Sequence, residues 1–454
     1  MYKRKLMARA IALTFLLPIA AQANDSEEIE KLRAEIQQMK QNYEGRIQTL
    51  ESKLEQAQVS AGKAEASAAK AETAAVQASG QTTSSANAFN PGIALILSGI
   101  YSNLSQNPND YTITGFQSGG NIGPGKRGLS LAESELDIFA NVDHYFYGGL
   151  NLALASDNSA SVEEAFMQTT ALPAGFTLKA GRFFSSIGYL NDQHAHTWDF
   201  VDNPLVYQAF LGGQYGDDGV QIKWVAPTDL FIELGAEVGR GRIADTEGKN
   251  KNGSAAGSLY AHLGGDVGLS NSWRAGLSYL HISPNDRQSD SLDNAGQYVT
   301  NTFNGTDRLW IADFVWKWAP NGNSNYTNFK LQGEYMHRDE SGTLDYNGTL
   351  PGDYQADQSG WYVQGVYQFM PYWRTALRYD RLDGGSVNYG SNNSFLLTNG
   401  YNPQRASLML DYSPSEFSRI RLQLAQDRSR DNATDNQIFV QYIMSLGSHG
   451  AHKF

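Results

Sequence analysis

From Ile93 to the C-terminus the chain breaks into segments of roughly ten residues in which apolar and polar side chains alternate one for one. A repeat of two is the mark of a strand with one apolar and one wet face, whereas a helix repeats at 3.6. Leu230, Ile232, Leu234, Ala236 and Val238 share one parity, with Glu233 and Glu237 on the other. Trp361, Val363, Gly365, Tyr367 and Phe369 stand against Tyr362, Gln364 and Gln368, and Ile420, Leu422 and Leu424 against Arg419, Arg421 and Gln423. Gly, Asn, Asp, Pro or Ser, the residues that favour turns, bound each segment.

Sixteen such segments fit between 93–103 and 437–447, the tenth to thirteenth at 308–319, 327–337, 360–369 and 373–380. Tight connections such as Pro173-Ala174-Gly175 and Ser413-Pro414-Ser415 alternate strictly with long polar ones. Short turns on one rim and long loops on the other describe a membrane-spanning barrel. Trp224, Trp273, Trp316, Trp318, Phe369, Trp373 and Phe417 fall beside the short turns, and Trp310, Trp361, Tyr335 and Tyr379 toward the other strand ends. Two aromatic bands a strand length apart suit the two membrane interfaces. The expected fold is all-β, an antiparallel transmembrane β-barrel of about 16 strands behind a short α-helical coiled coil. A wall of that size encloses water, so the expected function is a pore.

Composition narrows the alternatives. Outside the first 23 residues no apolar run approaches the roughly 20 residues of a spanning helix. The absence of cysteine excludes disulfides, Cys-ligated metal, haem attachment and a lipidated Cys.

Residues 1–23 read as a secretory signal peptide: Lys3, Arg4, Lys5 and Arg9, an apolar run from Ala10 to Ala21, then Ala21-Gln22-Ala23. Removing those four basic residues deepens the net charge from −12 to −16, which argues against nucleic acid as a partner. Within 24–59, Ile29, Leu32, Ile36, Met39, Tyr43, Ile47, Leu50 and Leu54 are spaced by threes and fours, the repeat of a coiled coil. A single amphipathic helix is the alternative. An Ala/Ser-rich linker follows at 60–90, and the barrel occupies 91–454.

With the apolar parity turned outward, the other parity lines the interior: Glu133, Glu135 and Asp137 on the second strand, Glu233 and Glu237 on the seventh, and Arg374, Arg378, Arg405, Arg419 and Arg421 on the thirteenth to fifteenth. An acidic wall facing a basic one would orient charged or dipolar solutes; mutual neutralisation across strands is the alternative. The connection from about Ser185 to Asp217 carries Asp192, His194, His196, Asp199 and Asp202 with no Lys or Arg. Its length and aromatic content predict an ordered loop that constricts the channel and favours cations locally. His194 and His196 with a nearby carboxylate are candidate Zn2+ ligands.

Glu164-Ala165-Phe166-Met167-Gln168, a short turn, Leu178-Lys179-Ala180-Gly181-Arg182-Phe183-Phe184 and a long aromatic loop resemble the third hairpin of phosphate-selective porins of the O and P type. A coiled coil ahead of the barrel and the terminal Phe454 are similar to the dicarboxylate porin branch of that superfamily. The resemblance implies a homotrimer in the outer membrane of a Gram-negative cell, its coiled coil in the periplasm, with outer-membrane lipid and the barrel-assembly machinery as partners and small charged solutes as cargo. Acidic residues interleave the arginines here, unlike the basic ladder of the phosphate channels. A metal-ion (zinc) uptake channel and a TonB-dependent-type receptor are the competing readings, the second needing a plug and about 22 strands. No Gly-x-Ser-x-Gly or His-Glu-x-x-His occurs, so no enzyme and no cofactor are expected.

Overall fold

Each strand pairs antiparallel with its neighbours in sequence, and the last closes on the first, from Ala94 opposite Gly447 to Leu104 opposite Gln437. The computed structural model describes residues 37–41, 44, 45 and 91–447, apart from 121, 245, 247, 249 and 397–399. The signal peptide, the linker and the C-terminal stretch with Phe454 lie outside the described residues. So does most of the coiled-coil segment, whose described residues are helical. The chain divides between Ala88 and Phe89 into two units, and the second carries the barrel.

The strands in order are Gly92–Leu104; the second in two pieces, Gly128–Leu131 and Ser134–Asn141; Phe146–Leu154; Ala160–Thr169; Phe176–Phe184; Gly216–Val225; Phe231–Gly239; and Ala256–Val267. The ninth, Asn271–Ile282, is extended by Arg287–Leu292. Tyr298–Trp318, Asn328–Tyr346, Leu350–Met370, Trp373–Asn388, Gln404–Ser415, Ser418–Arg428 and Asp435–Gly447 complete the wall. The two pieces of the second strand lie end to end along the first, and those of the ninth along the tenth. The described residues therefore form one closed, sixteen-stranded antiparallel barrel.

Burial follows the alternation with the sense reversed from a water-soluble protein. On the fifteenth strand Leu422 and Leu424 are 39% and 41% exposed, while Arg421 and Gln423 between and beside them are 1% and 0%. Val220, Ile222, Leu263, Leu277, Phe314, Leu377, Leu408 and Val440 continue the exposed apolar face around the wall. A contiguous apolar exterior of this extent is unstable in water and needs an apolar solvent.

The wall is uneven. The third to seventh strands have 9–10 residues, the tenth to thirteenth 16–21. Sequence alternation under-measured the long ones, because in their extensions the sense flips: Ser341, Thr343, Asp353 and Gln355 face outward, while Phe303, Leu344 and Tyr354 are buried inside. The stretch between the eleventh and twelfth strands is thus no long loop but a hairpin turning at Asn347-Gly348, both at positive φ (50° and 65°), the geometry that Asn-Gly favours. Nor do connection lengths alternate strictly: the third and fourth strands are joined by only residues 155–159.

A second departure lies inside. The connection after the fifth strand enters the barrel and contains the helix Leu205–Leu211, every residue of which is buried. Leu205, Val206, Phe210 and Leu211 pack with Leu309, Ile311, Met336 and Leu382 of the wall and with Ile113 and Phe116 of the first long connection. The inner face is apolar at these wall positions, where the helix covers it, and polar over most of the rest.

Candidate functional site

The loop from Ser185 to Tyr215 is fixed at four places by inward side chains. At its start Glu237 accepts from the Ser186 amide (3.0 Å), Gln221 (2.7 Å), Ser258 (2.7 Å) and the Ser185 hydroxyl. Next, Glu334 on the eleventh strand accepts from the amides of Tyr189 and Leu190 (both 3.1 Å) and from the hydroxyls of Tyr207 and Tyr362 (2.9 and 2.7 Å). A carboxylate saturated by four donors is a strong anchor, since hydrogen bonds to a charged group are about twice as strong as neutral ones.

The other two anchors are electrostatic and opposite in sign. His194 and His196 meet the acidic side. His196 Nδ1 lies 2.8 Å from Glu135, and His194 lies 3.1 Å from Glu164 through Nε2 and 3.3 and 3.4 Å from Glu135 and Glu163 through Nδ1. Asn151 ties Glu135 (2.9 Å) to Asp137 (2.5 Å), and Glu133 is coupled electrostatically to Glu135, Glu163 and His194. Across the interior, Asp199 and Asp202 meet the basic side. Asp199 pairs with Lys330 (2.5 Å) and Arg374 (3.1 Å), and Asp202 with Arg378 (2.8 Å) and Arg405 (2.7 Å). Arg405 and Arg421 also donate to the carbonyls of Asn203 and Trp198 (both 2.6 Å), and Arg419 donates to that of Trp198 (3.3 Å). All five arginines singled out in the sequence thus hold the stretch His196–Asn203, while Asp380 and Asp411 of the wall balance their charge.

The titration of the loop groups follows from these contacts. Burial raises the Asp199 and Asp202 carboxyls, but Lys330 and Arg374 around the first, and Arg405 and Arg378 around the second, hold both below the ordinary range. Burial lowers the His194 imidazole, and the carboxylates of Glu135, Glu163 and Glu164 around it reverse this and carry it well above the usual value.

Two expectations need correction. The loop carries no Lys or Arg of its own, yet Asp199 and Asp202 are neutralised by wall cations, so they set up no cation-favouring field. Nor do His194 and His196 share a point with a loop carboxylate: the rings stack 5.9 Å apart, His196 is engaged by Glu135, and Asp199 is held across the barrel. The ligand-type atoms that converge are those of Glu135, Glu163 and His194. Among the described residues one other such group occurs, His337, Asp339 and Asp357, and it is far more open to solvent.

Asp192 and Glu233 lie elsewhere. With Ser186, Tyr189, Lys223, His262, Arg274 and Lys317 they line a cavity of about 560 Å³ between the loop and the sixth to tenth strands. Glu233 binds Lys223 (3.2 Å) and His262 (3.0 Å) there. Sequence reasoning missed Glu334, Lys330, Asp380 and Asp411. Each sits on the inward parity of a recognised strand, the same signal that found the arginines.

No family model matches the chain. An uncharacterised protein of Aquifex aeolicus (strain VF5) is 32% identical over 403 residues, spanning 82% of this chain and 81% of that one. The two belong to one family. Among solved structures, the barrel is similar to in-vitro folded OmpT of Vibrio cholerae (TM-score 0.47, 11% identity, 78% of this chain and 97% of that one). It is also similar to the outer membrane channel DcaP of Acinetobacter baumannii (TM-score 0.46, 13%, 78% and 97%) and to an anion-selective porin from Comamonas acidovorans (TM-score 0.46, 10%, 79% and 99%). At such scores and identities no residue's role passes from those chains to this family.

Proposed function

We propose that the protein is an outer-membrane porin, a water-filled passage for small charged hydrophilic solutes, narrowed by the loop Ser185–Asp217. The observation that carries this reading is the reversed alternation around a closed sixteen-stranded wall, apolar outside and charged inside. Barrels of 16–18 strands leave room for a channel, and lipid is the solvent that suits such an exterior. The helix packs chiefly against the ninth to thirteenth strands and the arginines hold the loop on the thirteenth to fifteenth, and the cavity along the sixth to tenth is the space we assign to the passage. Lys223, Arg274 and Lys317 line it together with Asp192 and Glu233, a lining suited to solutes bearing charge of either sign. The charged interior also accords with the resemblance to the dicarboxylate porin branch, and with it a trimer whose periplasmic N-terminus is a coiled coil.

Purified full-length protein reconstituted into a planar bilayer tests the reading. Discrete, ohmic single-channel steps are expected, smaller than those of a barrel without an inserted loop. A silent bilayer, both for this protein and for a variant whose loop clamp has been cut, would sink the proposal.

A further inference from the structure

The acidic end of the loop has features that anchoring alone does not require. On the fourth strand the register slips by one residue, so that Asn151 faces Glu164 while Leu152 faces Val162. Such a bulge leaves one residue unpaired and re-aims its side chain. The unpaired residue is Glu163, which strict alternation would turn toward the apolar exterior, and its carboxylate instead reaches His194.

His194 is held from behind. Its Nε2 lies 3.1 Å from Glu164 Oε2, the kind of carboxylate–imidazole contact that fixes the ring and leaves the other nitrogen to accept. That other nitrogen, Nδ1, is sealed from solvent and makes no aligned hydrogen bond, yet oxygens of Glu135 and Glu163 approach it at 3.3 and 3.4 Å. These distances are too long for a charge-assisted N–H···O bond, about 2.7–2.9 Å. They match the ligand–ligand edge of a tetrahedral site with bonds of about 2.0–2.1 Å, which is about 3.4 Å. Asn151, 3% exposed, steadies Glu135 with its amide NH2 and leaves its own buried Oδ1 without a donor.

Charge balance points the same way. Glu133, Glu135, Asp137, Glu163 and Glu164 face Lys179 and two imidazoles as their nearby cationic groups. Five carboxyl groups thus share three cationic partners in a region closed off from most water.

We infer that Glu135, Glu163 and His194 bind a divalent transition-metal ion of the Zn2+ or Mn2+ class, with Glu164, His196 and Asn151 orienting the ligands. One imidazole with carboxylates suits those ions better than Cu+, which prefers thiolate or thioether. The ion pins the loop to the second and fourth strands, and the site stands whether or not the barrel conducts.

Full-length detergent-folded protein, loaded with ZnCl2 or MnCl2 and desalted, is expected to retain one ion per chain by elemental analysis. Glu163→Gln and His194→Ala abolish retention, Glu164→Gln weakens it by about 10–100-fold, and Glu237→Gln, which touches only the loop's first anchor, leaves it unchanged. Loss of both ions from the unaltered chain, or retention by Glu163→Gln equal to it, overturns the site in favour of a plain imidazolium. If Glu163→Gln does not fold, Zn K-edge absorption of the unaltered protein decides. One imidazole plus carboxylate oxygens at about 2.0–2.1 Å supports the site, and an all-oxygen shell overturns it.

Discussion

Asp202 shows most directly what the interior charges do. It lies between Arg378 and Arg405, two guanidinium groups almost wholly removed from water. Removing one member of a buried pair strands the other charge, at a cost of about 3–5 kcal/mol. Asp202→Asn is therefore expected to loosen His196–Asn203 and to raise single-channel conductance while the barrel stays folded. An unaltered conductance in that variant would show that the loop does not narrow the path. The same pairs set a pH dependence. Asp199 and Asp202 are depressed below the ordinary aspartate value of about 3.9, so their contribution is complete above that pH and is lost as pH falls through the folded values. Conductance recorded from pH 7 downward should stay level to about pH 4 and rise only below it. A midpoint well above about pH 4 would show that these two carboxylates do not hold the loop in place. At this level the sequence was legible in part. Parity found the five arginines, Glu135 and Glu237 and marks Lys330 and Asp380 equally, but the loop groups that these two meet sit far away in the chain, and only the loop's entry into the barrel brings them together.

The loop helix behaves as a core element with the wall as its outer layer. Phe210 packs 5.8 Å from Phe116 and lies under the Arg338 guanidinium at 4.7 Å. Phe210→Ala is expected to cost about 3–5 kcal/mol of packing, and limited proteolysis should then cut within 105–127 and 185–215 while the wall resists. Resistance equal to the parent's would mean that the wall alone orders these segments. Gly212, which ends the helix at φ 66°, marks a close approach. A Cβ there would lie 2.8 Å from the Gly119 carbonyl and 2.7 Å from the Ala244 Cβ, so three connections meet where only a glycine fits. Elements were legible in proportion to how one-sided their surroundings are. Strands between lipid-suited and polar surfaces alternate cleanly. In the extensions of the tenth to thirteenth strands the outward parity turns polar and apolar residues such as Phe303 and Leu344 turn inward, so the pattern of the rest of the wall is lost, and a seven-residue helix buried on every side offers no period to detect.

For the molecule as a whole, the sixteen strands were legible because each repeats the same local rule, and closure follows from the apolar parity having a single side to face. Oligomeric state belongs to the segment ahead of the barrel. Deleting 26–58 should weaken association of the detergent-purified protein yet preserve the folded barrel, as read by light scattering and gel mobility. An unchanged mass would place the contacts on the wall. The uneven wall has one more consequence. Some ten extra residues at about 3.4 Å each, tilted by about 40°, raise one side of the rim roughly 25 Å above the other. The aperture is therefore cut obliquely, with the tenth to thirteenth strands standing over it like an awning. For the porin proposed above, bulky particles descending toward the bilayer would strike that awning first, and small molecules drifting along the surface would find the entrance from the low side.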